Sequence, residues 1–84
     1  MDIIRTREFI KQTKKIKDKE TKKRLFNQLK EIIENPERGD FLSYEKGIRR
    51  VYVPPFRLLY AYKDKKLYFL DFNHRDKVYK KRRK

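Results

Sequence analysis

Five side chains in the second half of the sequence are of the types that a reaction at a phosphate needs: Arg50, Arg57, His74, Arg75 and Tyr79. A guanidinium is a planar fork of donors that meets two phosphate oxygens at once. An imidazole or a phenol can move a proton. All five fall within one organised stretch, Ile48 to Tyr79, hinged at Pro54-Pro55-Phe56-Arg57. Residue type alone leaves the bland alternatives open. Arg50 and Arg57 can be solvated charges on a sheet face, His74 a structural histidine, and Tyr79 a staple for the C-terminus.

Charge favours the phosphate. The sequence has 84 residues, room for one domain with one modest core, and its formal net charge is +14. An excess of 26 Lys and Arg over 12 Asp and Glu repels itself and weakens the compact state. A chain that keeps such an excess meets a polyanion or an acidic protein, with nucleic acid the first candidate. There is no cysteine, which excludes disulfides, thiolate chemistry and Cys-based zinc sites. With one histidine and scattered acids, neither a metal nor another cofactor is expected. No apolar run approaches a membrane span or the core of a signal peptide, which points to the cytoplasm.

The elements that must position these residues are a pair of helices and a sheet. Asp2 to Arg5 reads as a short first strand or an arm. Thr6 can cap a helix from Arg7 to about Lys17, with Phe9, Ile10, Thr13 and Ile16 on one face and Lys11, Lys14, Lys15 and Lys17 opposite. Asp18 can cap a second, Lys19 to Asn35, whose stripe is Leu25, Phe26, Leu29, Ile32 and Ile33 and which Pro36 stops. The short link predicts an antiparallel α-hairpin. Residues Glu37 to Gly47 read as a loop tucking one or two of Phe41, Leu42 and Tyr44 under the helices.

Three strands follow, turning at Pro54-Pro55 and Asp64-Lys65, as an antiparallel meander. Strict alternation sets Arg57, Leu59 and Ala61 against Phe56, Leu58, Tyr60 and Tyr62. It likewise sets Leu67, Phe69, Asp71 and Asn73 against Tyr68, Leu70, Phe72 and His74. Either set can face the helices. Residues 75–84, with seven Lys or Arg and one Asp, form a basic tail or a short helix docked through Val78 and Tyr79. The expected class is α+β: an N-terminal α-hairpin packed on a small antiparallel sheet, in the order β-α-α-β-β-β, as one domain over 1–84.

That order, at this length and charge, resembles the RelE/ParE toxin family of bacterial and archaeal toxin–antitoxin systems. The likeness covers nearly the whole chain. Its most specific parts are the segment Arg50-Val51-Tyr52-Val53-Pro54-Pro55-Phe56-Arg57-Leu58-Leu59-Tyr60 and the close His74-Arg75-Asp76-Lys77-Val78-Tyr79. RelE-type members cut mRNA in the ribosomal decoding site, whereas the ParE branch poisons DNA gyrase. The resemblance implies that Arg57 contacts the scissile phosphate, with Arg50 and Arg75 as further cations and Tyr79 as the C-terminal aromatic. His74 lies near a histidine of some relatives. Tyr52 departs from the pattern, standing where many relatives carry a second basic residue. The implied partners are the ribosome with mRNA, and a small acidic antitoxin.

RNA can be cut without a metal when its own 2′-hydroxyl attacks the phosphodiester, leaving a 2′,3′-cyclic phosphate and a 5′-hydroxyl. Cations must stabilise the phosphorane oxygens, and a base and an acid must handle the two protons. Arg50, Arg57 and Arg75 can supply the charge. A single histidine excludes a two-histidine pair, so Tyr79, His74 or a lysine of lowered pKa must do the proton work. The alternatives are a gyrase poison that cuts nothing or an inactive RNA-binding relative.

Overall fold

Thr6 and Asp18 start the two helices as their sequence positions dictate. The Thr6 hydroxyl accepts the Phe9 N–H at 3.1 Å and opens α1, Arg7–Lys14. The Asp18 carboxylate accepts the Thr21 N–H and its hydroxyl and opens α2, Lys19–Glu34. The bond from the Thr21 hydroxyl holds the Asp18 carboxyl below the usual carboxylate range. The computed structural model describes residues 1–43 and 45–74.

α1 stops at Lys14 rather than Lys17. Lys15 and Ile16 bond back to Gln12 and Thr13, a tightened last turn that leaves Ile16 buried in the core. α2 ends within a residue of its expected limit, with Asn35 as its cap. Its stripe is narrower than the pattern implies. Leu25 and Ile32 are buried and Leu29 is half-buried, but Phe26 is 63% exposed and Ile33 36%.

The helices pack on a five-stranded sheet in the order β1-β5-β4-β3-β2. The meander is β3 (Ile48–Val53), β4 (Phe56–Lys63) and β5 (Lys66–His74), antiparallel as expected. Asp64 and Lys65 both take positive φ in the tight turn between β4 and β5. The sheet as a whole is mixed rather than antiparallel. β1 (Asp2–Arg5) runs parallel to β5, because the chain passes straight from it into α1 and returns over the sheet.

β2 (Asp40–Phe41) adds a short edge to β3 where a loop was expected. Leu42 is buried, but against Leu59, Ile48 and Leu70 on the face away from the helices. Phe41 is exposed, with the Arg49 guanidinium 3.9 Å above its ring. Tyr44 lies outside the described residues, as do residues 75–84, so neither the tail nor the docked helix is described.

The core lies between helices and sheet. Phe9, Ile16, Leu25 and Ile32 meet Val51, Val53, Leu58, Tyr60, Leu67, Phe69 and Phe72. Tyr60 is wholly buried; its hydroxyl accepts the Gly39 N–H and donates to Pro36 O, both at 2.9 Å. Burial pushes its pKa up. A Cβ on Gly39 would come within 2.8 Å of that hydroxyl, so only glycine fits beneath it.

Phe69 and Phe72 share this core although alternation separates them. The cause is a bulge: Tyr60 pairs with Phe69 but Leu59 pairs with Asp71, which leaves Leu70 extra on β5. α1 satisfies the bulged backbone. The Thr6 hydroxyl donates to Leu70 O, and Gln12 Oε1 accepts the Phe72 N–H. Gln12 Nε2 in turn donates to Asp71 Oδ1 at 3.2 Å. Replacing Gln12 with leucine should therefore cost about 1–3 kcal/mol, the penalty for orphaning a buried polar group. The expected reading is a lower urea midpoint at unchanged slope, with exposed Lys11→Ala near neutral. A Gln12→Leu chain as stable as the parent would show that the bulge holds itself.

Candidate phosphate-binding face of the sheet

The turn at Pro54-Pro55 fixes what faces what. Val53 pairs with Phe56, Tyr52 with Arg57, Val51 with Leu58 and Arg50 with Leu59. Directly opposed residues of an antiparallel pair share a face, and neighbours along a strand alternate. Leu58 and Val51 belong to the helix-covered core, so Arg50, Tyr52 and Arg57 take the other side. Arg50 and Arg57 are diagonal neighbours there, about 7–8 Å apart at the backbone, within reach of one another's side chains.

Arg57 is half-buried, and its Cζ sits 3.8 Å from the centre of the Tyr52 ring. Arg50 is exposed, between Leu59 on one side and Asp40 of the β2 edge on the other. The middle of this face is closed by Leu42 over Leu59, Ile48 and Leu70. The cationic pair therefore occupies the end of the sheet near the proline turn.

His74 reaches the same end of the sheet from the far end of β5, as the antiparallel order requires. Its register partner, however, is Phe56, and Arg57 pairs with Asn73. His74 thus follows Phe56 and Phe72 onto the helix side; its ring lies edge-on to Phe56 at 6.4 Å, and Phe56 stacks on Phe72 at 4.9 Å. The bulge decides this. Without the extra Leu70, Arg57 would oppose Phe72 and share a face with His74. Arg50 and Arg57 are brought together, and His74 is set one residue out of step with them. Arg75 and Tyr79 lie outside the described residues.

Two residues gain importance that their type did not announce. Tyr52 is the aromatic under Arg57, and its signal was the symmetry of the turn: two residues either side of Pro54-Pro55 must oppose each other. Arg49 fastens the approach to β2, donating to Glu37 O at 2.9 Å and Gly39 O at 2.7 Å. Among the described residues no three His, Asp or Glu side chains cluster as a metal site would require, and no helix is long and apolar enough to cross a membrane.

Known proteins share this architecture. YafQ from E. coli strain BL21(DE3) superposes with a TM-score of 0.73 at 22% identity, covering 93% of this chain and 97% of YafQ. YafQ in the E. coli DinJ–YafQ complex gives the same values. The RelB–RelE antitoxin–toxin complex from Methanococcus jannaschii gives 0.74 at 15% identity over 94% of this chain and 98% of its counterpart. These likenesses carry the fold. No curated protein matches the sequence. The family described as "ParE toxin of type II toxin-antitoxin system, parDE" matches residues 3–79, nearly the whole of the chain whose strands and helices have just been described. The chain belongs to that family, the ParE toxins of type II toxin–antitoxin systems, on a fold it shares with YafQ and RelE.

Proposed function

We propose that this toxin is a ribosome-dependent mRNA endoribonuclease that works without a metal ion, driving the 2′-hydroxyl of the message onto its own scissile phosphate. The observation that carries the reading is the pairing of Arg50 and Arg57 on the face of the sheet that the helices leave uncovered. Two guanidinium groups there can hold a phosphodiester and stabilise the charge of its phosphorane. Arg75 adds a third cation and Tyr79 handles a proton, since His74 lies on the helix side of the sheet. The net charge of +14 supplies attraction to RNA. Its antitoxin carries Glu and Asp with apolar anchors, in a segment that displaces or covers residues 75–84.

A second reading, a gyrase poison that cuts no RNA, has two observations in its favour. One is the name of the matching family. The other is the register that sets His74 against Phe56 rather than Arg57. Induced expression with primer extension on translated mRNA separates the two. The nuclease reading expects growth arrest with new 5′ ends inside open reading frames and none on message kept off the ribosome. Arrest with intact mRNA and inhibited DNA supercoiling would replace it with the gyrase reading.

A further inference from the structure

Tyr52 is 54% exposed, yet its ring lies against the guanidinium of the residue directly across the hairpin, Arg57. The backbone leaves this pair little freedom. Both residues sit in laddered strands, two positions from the Pro54-Pro55 turn. The ring contributes nothing to the core, since Val51 and Val53 on either side of it are the buried residues of β3. A large aromatic is thus kept at the surface with a cation on its face.

We propose that Tyr52 is a positioning residue: its ring holds the Arg57 guanidinium on the open face of the sheet in the orientation that receives an RNA phosphate. The proposal rests on the nuclease reading for its substrate. Stacking uses the face of a guanidinium, and phosphate binding uses the N–H groups along its edge, so one side chain makes both contacts. An arginine side chain carries large rotamer entropy, and ordering it is a cost of binding. A ring that has already ordered it removes part of that cost. The phenol oxygen takes no part; the aromatic face does the positioning.

The test is a set of variants, Tyr52→Leu and Tyr52→Phe, each made in the parent and in an Arg57→Ala background. Tyr52→Leu should slow single-turnover cleavage of ribosome-bound mRNA about two- to five-fold, the range of an exposed cation–π contact. Tyr52→Phe should cut like the parent. In the Arg57→Ala background Tyr52→Leu should have no further effect, because the two residues act as one. In the free protein the Arg57 Nε–H resonance should show a ring-current shift that Tyr52→Leu abolishes and Tyr52→Phe keeps. A purely structural tyrosine would give an additive loss in both backgrounds, and that result overturns the proposal. So does a Tyr52→Phe variant as slow as Tyr52→Leu, a Tyr52→Leu variant as fast as the parent, or an Arg57 resonance indifferent to the ring. If the parent cuts no mRNA, the nuclease reading falls, and the positioning role is judged on inorganic pyrophosphate. Tyr52→Leu should then weaken its binding at Arg57 about two- to five-fold, and unchanged affinity overturns the proposal.

Discussion

Arg57→Ala is expected to slow cleavage of ribosome-bound mRNA about 10²–10³-fold, the usual cost of one charge-stabilising donor at a transition state. Arg57 lies two positions past the proline turn, on the uncovered face of the sheet, where it is held over Tyr52 beside Arg50. The same substitution removes a half-buried side chain and its contact with the Tyr52 ring, and should cost about 0.5–3 kcal/mol of stability. Cleavage by primer extension and urea denaturation of the same preparation give both numbers. Arg50→Ala, further from the turn and exposed, should cost less in rate. A chain with Arg57→Ala that cuts at the parental rate would remove Arg57 from the phosphate and with it the site proposed on this face.

Affinity for RNA should fall steeply with salt. Neutralising six to ten phosphates releases enough counterions to lose about 10³–10⁵ in affinity between about 50 and 200 mM salt. The molecule has the charges to do this. Lys11, Lys14, Lys15 and Lys17 are all exposed on and just after α1, and Lys19, Lys22 and Lys23 are exposed at the start of α2. These lysines are expected to make an electrostatic contact that reads no sequence. Removing one phosphate-contacting cation should flatten the log–log slope by about one, so Arg57→Ala tests the site in a second way. Filter binding to a short unstructured RNA across that range is sufficient. A flat curve would mean that the charge of the chain serves another end, such as an acidic protein partner.

How far the sequence carried the reading follows from which forces are local. Thr6, Asp18 and Pro36 bound the helices through caps and a forbidden backbone geometry, effects that reach only a few residues. The two tight turns likewise set the meander. What escaped is non-local. The parallel pairing of Asp2 with Lys66 joins opposite parts of the chain, and no periodicity in four residues announces it. The bulge at Leu70 is a balance between β4 register and the side chains that α1 offers from above. It alone moved Phe72 into the core and His74 off the face of Arg57. Leu42 was legible as buried but not as buried on the far face, because its partners Leu59 and Leu70 sit on other strands. Arg50 and Arg57 were legible as a pair once the turn was placed. That Tyr52 lies beneath Arg57 could have been counted from the same turn.

The pairing of β1 with β5 joins Asp2–Arg5 to residues made 64 positions later. On a translating ribosome the first strand has nothing to zip against until Lys66 to Phe69 have been polymerised. At about 5–20 residues per second, that separation is about 3–13 s of synthesis during which the sheet is incomplete. The hairpin bearing Tyr52 and Arg57 is already made by then, but the strand that backs it and the bulge that orders its end arrive last. An antitoxin present during synthesis would therefore meet this sheet while it is still closing rather than after.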